Sequence, residues 1–173
     1  MSVVSLEEIA AGVEVTHEQH DRGVATVEAD PDLAGVLADY ADELPCSAAR
    51  AETVVETYVG GASVGETGQA AGVVPVEAAK TLHLLGFEGV SPLGPAGREV
   101  VRDWVDGHLS HAEARELADA GERTFALAAF VETHEPFDGA GERVRGALAD
   151  RGDAAVRKRD RLRGTMSDAG DLL

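Results

Sequence analysis

The segment from Ser63 to Gly86 has the sequence SVGETGQAAGVVPVEAAKTLHLLG, which predicts two short helices joined by a turn. Its first half keeps small and apolar residues at the 3–4 spacing of one helical face as far as Gly72, where a residue without Cβ can adopt a positive φ. Pro75 suits the first turn of a second helix, whose apolar stripe includes Leu82 and Leu85. Two short helices around a glycine turn are typical of a helix-turn-helix.

The residues ahead of this pair predict helices that pack against it. AARAETVVETYV, residues 48–59, has an apolar face and follows Ser47, which suits an N-cap. Apolar spacing also predicts a helix from Asp32 to Glu43 and an N-terminal helix from about Ser5 to Ala29. We therefore expect an N-terminal helical pair in residues 1–45 and a first helix-turn-helix unit in residues 46–95.

A second copy of the pattern follows about 46 residues later, after a Gly- and Pro-rich connector, FEGVSPLGPAG, residues 87–97. A minimal β-wing at Phe87–Leu93 is the alternative within this connector, but a loop is favoured. Tyr58 aligns with Trp104, and Ser110 with Glu113 three residues on predicts a capping box. We expect this second helix-turn-helix-like unit to occupy residues 96–136.

Charge separates the C-terminal segment from the rest of the chain. Residues 142–163 carry eight basic and four acidic side chains, a net +4, whereas residues 1–141 carry seven basic and 26 acidic, a net −19. A short helix from about Gly139 to Ala149 and an Arg-rich tail are predicted. Residues 137–173 are therefore expected to form a basic C-terminal helix and tail.

Composition favours an all-α fold with a core of small residues. The chain has 173 residues, 44% of them hydrophobic but only 4% aromatic, and a formal charge of −17. This acidic, lysine-poor composition resembles that of haloarchaeal cytosolic proteins. In molar salt the Debye length is about 3 Å, so the negative charge does not exclude a nucleic acid.

Several features that the sequence lacks limit the cellular location and the chemistry expected of the protein. There is no apolar run of membrane-spanning length, no basic start followed by an apolar block, and a single cysteine, Cys46. We expect a cytoplasmic protein without disulfides. Neither a phosphate-binding loop nor a nucleophile elbow is present, so neither an enzymatic activity nor a cofactor is predicted.

Two histidine pairs have the close spacing of metal ligands, but a solvated or interfacial position is the favoured interpretation of both. His108 and His111 form one pair, and the other lies in an acidic helical segment. Its spacing differs from the HExxH pattern of zinc enzymes, so no metal site is predicted. The residues concerned are Glu14, His17, Glu18, His20 and Asp21.

Three motifs together carry a family resemblance over Val15–Glu135. They are a T-x-x-Q-x-x-x-G element at Thr16, Gln19 and Gly23, the segment ETVVETYVGGASVGETGQAAGVVPVEAAKTLHL, and the segment VVRDWVDGHLSHAEARELA. The arrangement resembles a group of haloarchaeal tandem helix-turn-helix proteins that includes those named conditioned-medium-induced protein 4. The resemblance implies a regulatory DNA-binding role. Where such proteins place Ser-Arg or Arg-Lys at the start of the recognition helix, this chain has Val74-Pro75-Val76-Glu77.

Candidate nucleic-acid contacts fall on three elements. The first recognition helix is poor in base-reading side chains, so a trihelical scaffold or protein-docking face is an equal alternative. The second offers one Arg and one Thr ahead of an apolar run. The tail is the strongest electrostatic feature, although its cations can instead pair with the acidic body. The candidates are Glu77, Lys80, Thr81 and His83; Arg123 and Thr124; and Arg157, Lys158, Arg159, Arg161 and Arg163.

These features predict a non-enzymatic helix-turn-helix DNA-binding protein of transcription-regulator type from a halophilic archaeon, with RNA as the alternative ligand. A homodimer formed through the N-terminal helix is expected, because two-fold partners supply matched half-sites. The second hypothesis is a protein adaptor that docks a polymerase or ribosome through acidic helix-turn-helix faces.

Overall fold

The computed structural model describes residues 32–170, with side chains as far as Arg163, and all regular structure in that range is helical. The all-α prediction is therefore confirmed for this part of the chain, which belongs to one compact unit. The N-terminal helix expected before residue 30 lies outside the described residues. The helices are α1 Leu33–Ala38, α2 Ala48–Val59, α3 Val64–Ala71, α4 Pro75–Leu84, α5 Pro95–Val105, α6 His111–Leu117, α7 Glu122–Thr133 and α8 Ala140–Gly170.

Helices α2, α3 and α4 pack against one another as the first trihelical unit. Gly72 ends α3 in the left-handed conformation with φ of 67°, and Pro75 is the first residue of α4, both as predicted. A small-residue turn is required here, because a Cβ on Gly68 would lie 3.0 Å from the Val73 carbonyl oxygen. One hydrophobic cluster in the core of this unit consists of Val54, Ala71, Val73, Ala78, Leu82 and Val90.

Helices α5, α6 and α7 form the second trihelical unit, in which α5 packs on both of the others. The predicted Ser110–Glu113 capping box is present, and Ser63 with Glu66 forms the equivalent box at the start of α3. The left-handed residue that follows each middle helix is Gly72 in one unit and Asp119, with φ of 48°, in the other. Both middle helices thus begin with a capping box and are followed by a left-handed residue.

Two predicted boundaries are corrected by the structure. Helix α1 ends at Ala38 rather than Glu43, because the following residues form tight turns in which the Tyr40 N–H donates to the Leu37 carbonyl three residues back. The predicted short helix at Gly139–Ala149 and its tail are instead one helix that continues to Gly170. The connector at Phe87–Leu93 contains no strand, so the preference for a loop is confirmed.

The beginning of α8 closes the core between α1 and α2. Leu33, Leu37 and Val55 are buried together with Ala140 and Val144 of α8. The loop that leads into α8 is held to the end of α4, since the Phe137 N–H donates to the Leu84 carbonyl at 2.8 Å. The C-terminal helix is therefore anchored to the body at its N-terminal end.

Candidate nucleic-acid interface

Two of the four residues predicted as contacts on α4 are buried. Thr81 is 0% exposed, and its Oγ1 lies 3.5 Å from Cys46 Sγ. His83 is 9% exposed, and its Nε2 donates to the His134 carbonyl oxygen at 2.6 Å. Neither side chain is available to a nucleic acid in this conformation, because each faces another part of the protein rather than solvent.

The two predicted recognition helices, α4 and α7, pack directly against each other. Lys80 Nζ lies 4.5 Å from the centroid of the Phe130 ring, a cation–π contact. The same ring makes an edge contact with His83 and stacks on His134. This contact occupies one face of each helix and leaves Lys80 half-buried.

The exposed start of α4 offers little that suits a nucleic acid. Val74, immediately before the helix, is 59% exposed. Glu77 is half-buried, and its Oε2 accepts a hydrogen bond from the Val74 N–H at 3.4 Å, so it caps its own helix. An apolar and an acidic side chain at this position suit protein contact better than phosphate contact.

The start of α7 presents a single exposed cation. Arg123 is exposed and Thr124 is half-buried, so both predicted residues lie at the surface. The neighbouring Glu122 pairs with Arg115 at 2.6 Å and lies 3.8 Å from His111 Nε2. Arg123 and Thr124 therefore form a small site beside a carboxylate that is already paired.

Ion pairs fix the first third of α8 on the body. Arg143 donates hydrogen bonds to Asp39 and to the Tyr40 hydroxyl. These hydrogen bonds, of which the one to Asp39 has the larger effect, raise the pKa of Arg143 above its usual value. Two turns further on, Arg151 pairs with Glu52 at 3.1 Å and with Glu56. Arg143 and Arg151 precede the five tail cations named as candidates, so these pairs leave the alternative for the tail a prediction.

Beyond Leu148 the character of α8 changes. Every residue from Ala149 to Arg163 is exposed, including the apolar Val156 and Leu162 at 54% and 56%. We call the segment Ala149–Gly170 the arm, and the described residues before it, 32–148, the body. At about 1.5 Å per residue the arm extends for roughly 30 Å.

Five of the seven positions from 157 to 163 in the arm are cations. Successive residues are separated by about 100° around a helix, so these charges point in several directions around the arm. No ion pair joins Arg157, Lys158 or Arg159 to a carboxylate of the described body. The remaining two of the five cations, Arg161 and Arg163, are also exposed.

Other site types have no support in the described range. Within residues 32–170, no three His, Cys, Asp or Glu side chains are grouped as metal ligands. The acidic histidine segment at Glu14–Asp21 lies outside that range, and His108 and His111 approach Asp103 and Glu122 respectively. None of the described helices is long and apolar enough to cross a membrane.

Comparison with known proteins places the chain in one family. Residues 4–171 match the model of a family of unknown function, DUF7858, so the chain belongs to that family. No curated protein and no solved structure matches the chain. The resemblance to the conditioned-medium-induced group stays a prediction.

Proposed function

We propose that this member of the family is a non-enzymatic nucleic-acid-binding protein, of transcription-regulator type, whose principal contact is the arm. The observation that carries the proposal is the exposure of every described arm side chain, with five cations in seven positions, in a protein of formal charge −17. A helix that exposes its whole circumference gains no burial energy from its own fold, so a partner is the simplest reason for keeping its charge pattern.

The chemistry of the arm favours backbone contact over base reading. Guanidinium groups bind phosphate oxygens bidentately, and four of the five clustered cations are arginines. Phosphate contacts position a protein without reading the sequence. We therefore propose duplex DNA as the ligand, bound along its phosphates, with RNA as the second candidate.

The body has a supporting role in this proposal. Arg123 and Thr124 at the start of α7 supply a second contact, and the two trihelical units act as helix-turn-helix modules whose α4 is used for packing. The proposed setting is the cytoplasm of a halophilic archaeon. A homodimer formed through the N-terminal residues would pair two arms and raise affinity through effective concentration.

The test is binding of a random 30-base-pair duplex pool and of total RNA, measured by fluorescence anisotropy. The arm variant is Arg157→Gln/Arg159→Gln. Its control is Arg50→Gln/Arg145→Gln, two exposed body arginines that form no ion pair within the described range and give the same change in charge. We expect about tenfold or greater weakening for the arm variant only. Equal weakening in both would show a non-specific charge effect and contradict the proposal.

A second candidate function is a protein adaptor of the transcription or translation machinery. It is favoured by the exposed Val74 and the acidic Glu77 at the start of α4, where a DNA-reading helix needs Arg, Lys, Asn or Gln. If the arm binds nucleic acid without sequence selection and Arg123→Ala has no effect, the body is the adaptor surface. Enrichment of one duplex sequence that is lost with Arg123→Ala would instead establish a sequence-specific regulator.

A further inference from the structure

A groove lies between the connector that follows α4 and the α5 and α7 helices of the second trihelical unit. It encloses about 520 Å³, within the range of small-ligand sites. Phe87, Val90, Val131 and Pro136 are its apolar lining residues, and Arg98 is the cationic one. Neither the arm nor the start of α7 lines it.

Arg98 is unusual among the arginines of the body. It is half-buried, yet no carboxylate of the described residues lies within 4.0 Å of its guanidinium. The other half-buried arginine in the described part of the chain, Arg115, is paired with Glu122 at 2.6 Å. In a chain with 32 acidic residues, a partly desolvated cation that pairs with no described carboxylate is available to an anion from solution.

The location of Arg98 gives it no evident stabilising role. It is the fourth residue of α5, where the positive end of the helix dipole disfavours a cation. The first turn of α5 contains no acidic residue that would offset this. Neither the helix dipole nor an acidic residue of that turn stabilises the charge of Arg98, and a bound anion would do so.

Connector residues that line the same groove have backbone N–H groups without a partner among the described residues. The backbone N–H groups of Glu88, Gly89, Val90 and Ser91 donate no hydrogen bond to any described residue. Gly89 has φ of 77°, a conformation that other residues rarely adopt. Backbone N–H groups beside a guanidinium are the donor set of an anion site.

We propose that this groove binds a small monocarboxylate with an apolar body, the carboxylate on Arg98 and the connector N–H groups and the apolar part against Val90 and Val131. Glu88, an exposed carboxylate on the rim, disfavours a dianion such as phosphate. The ligand would bridge the connector and α7, and so stiffen the junction between the two trihelical units. This inference does not rest on nucleic-acid binding.

The test is isothermal titration calorimetry of the full-length protein with phenylacetate, with its neutral isostere phenylacetamide and with inorganic phosphate, each to 10 mM in 0.5 M KCl. We expect phenylacetate to bind at least tenfold more tightly than either of the others. Absence of phenylacetate binding, or equal binding of the amide or of phosphate, would overturn the proposal.

Two variants locate the site. Arg98→Met keeps the aliphatic stem and removes the charge, so phenylacetate binding should fall at least tenfold. Arg50→Met, at an exposed position on α2, should bind as the parent protein does. Circular dichroism and melting temperature establish that both variants are folded, and Arg98→Lys, which keeps the charge without the planar fork, should retain partial affinity. Unchanged phenylacetate binding by folded Arg98→Met would contradict the assignment of the carboxylate site to Arg98.

Discussion

Gly68 lies where the chain leaves α3 and turns into α4, in a space too small for a side chain. An added Cβ would lie 3.0 Å from the Val73 carbonyl oxygen and 3.3 Å from Pro75 Cα, both backbone atoms. We expect Gly68→Ala to lower the free energy of unfolding by about 1–3 kcal/mol, measured by chemical denaturation. Gly65→Ala in the same helix meets open space and should raise it by about 0.5–1 kcal/mol. Equal stabilities of the two variants would contradict the close approach.

The two capping boxes make a pH-dependent contribution to stability. Hydrogen bonds from the side chain and then the backbone of Ser63 lower the pKa of Glu66, and Ser110 does the same to Glu113. A lowered folded-state pKa means that the stabilisation is present above the ordinary glutamate value of about 4.3 and is lost as pH falls through the folded-state pKa.

The Glu66→Gln/Glu113→Gln variant should therefore lose part of the acid-induced fall in stability between about pH 5 and pH 3. Its free energy of unfolding should be lower than that of the parent protein at pH 7 and should approach it at pH 3. The measurement is urea denaturation at both values. A stability difference that is the same at pH 3 and pH 7 would mean that these carboxylates do not couple to folding.

Local residue patterns explain which single residues were predictable. Ser110 with Glu113, Gly72 and Pro75 were identified because capping and φ preferences act within four residues. Thr81 and His83 were expected to face a nucleic acid but are buried. Their burial depends on Cys46 and on α7, elements separated from them by more than 30 residues, and no local spacing encodes that contact.

At the scale of elements, the docking of α8 depends on the close approach of two glycines. A Cβ on Gly86 would lie 3.0 Å from Gly141 Cα near the start of α8, and Gly86 also has φ of 82°. Gly89 has a similar φ of 77° but open space around it. The pair Gly86→Ala and Gly89→Ala therefore separates the steric contact from backbone strain, which costs about 1–2 kcal/mol at either site.

We expect Gly86→Ala to be the more destabilising by about 1–3 kcal/mol, because the clash is with backbone. It should also increase hydrogen exchange in residues 140–148, whereas Gly89→Ala should leave exchange there unchanged. Protection of α8 that is identical in the two variants would show that α8 does not depend on this contact.

Of the helices, α8 is the one whose length the sequence pattern predicted least well. Gly146 and Gly152 interrupt its helical pattern, and each glycine disfavours a helix by about 1 kcal/mol relative to alanine. The buried Ala140, Val144 and Ala147 hold the first turns in place, so the costly nucleation step is met by tertiary packing. Propagation then continues into the arm, where the Arg157 Nε donates to the Asp153 carbonyl.

At the scale of the whole molecule, charge and architecture are divided between body and arm. The all-α class was predictable because apolar residues recur at helical spacing between glycine and proline turns. The packing of α4 on α7 and the groove beside Arg98 could not be predicted, because both depend on how the two trihelical units contact each other. A sequence with 26 acidic residues before position 142 also gives no signal for a half-buried arginine that pairs with no carboxylate of the described residues.

The measurement that bears most directly on the arm is the salt dependence of duplex binding. Each phosphate neutralised by Lys or Arg contributes about 0.9 to the slope of log K against log salt concentration. The Arg157→Gln/Arg159→Gln protein should therefore show a slope shallower by about 2, and the Arg50→Gln/Arg145→Gln protein should keep the parent slope. Equal slopes for all three proteins would contradict the account and assign nucleic-acid contact, if any is measured, to the body.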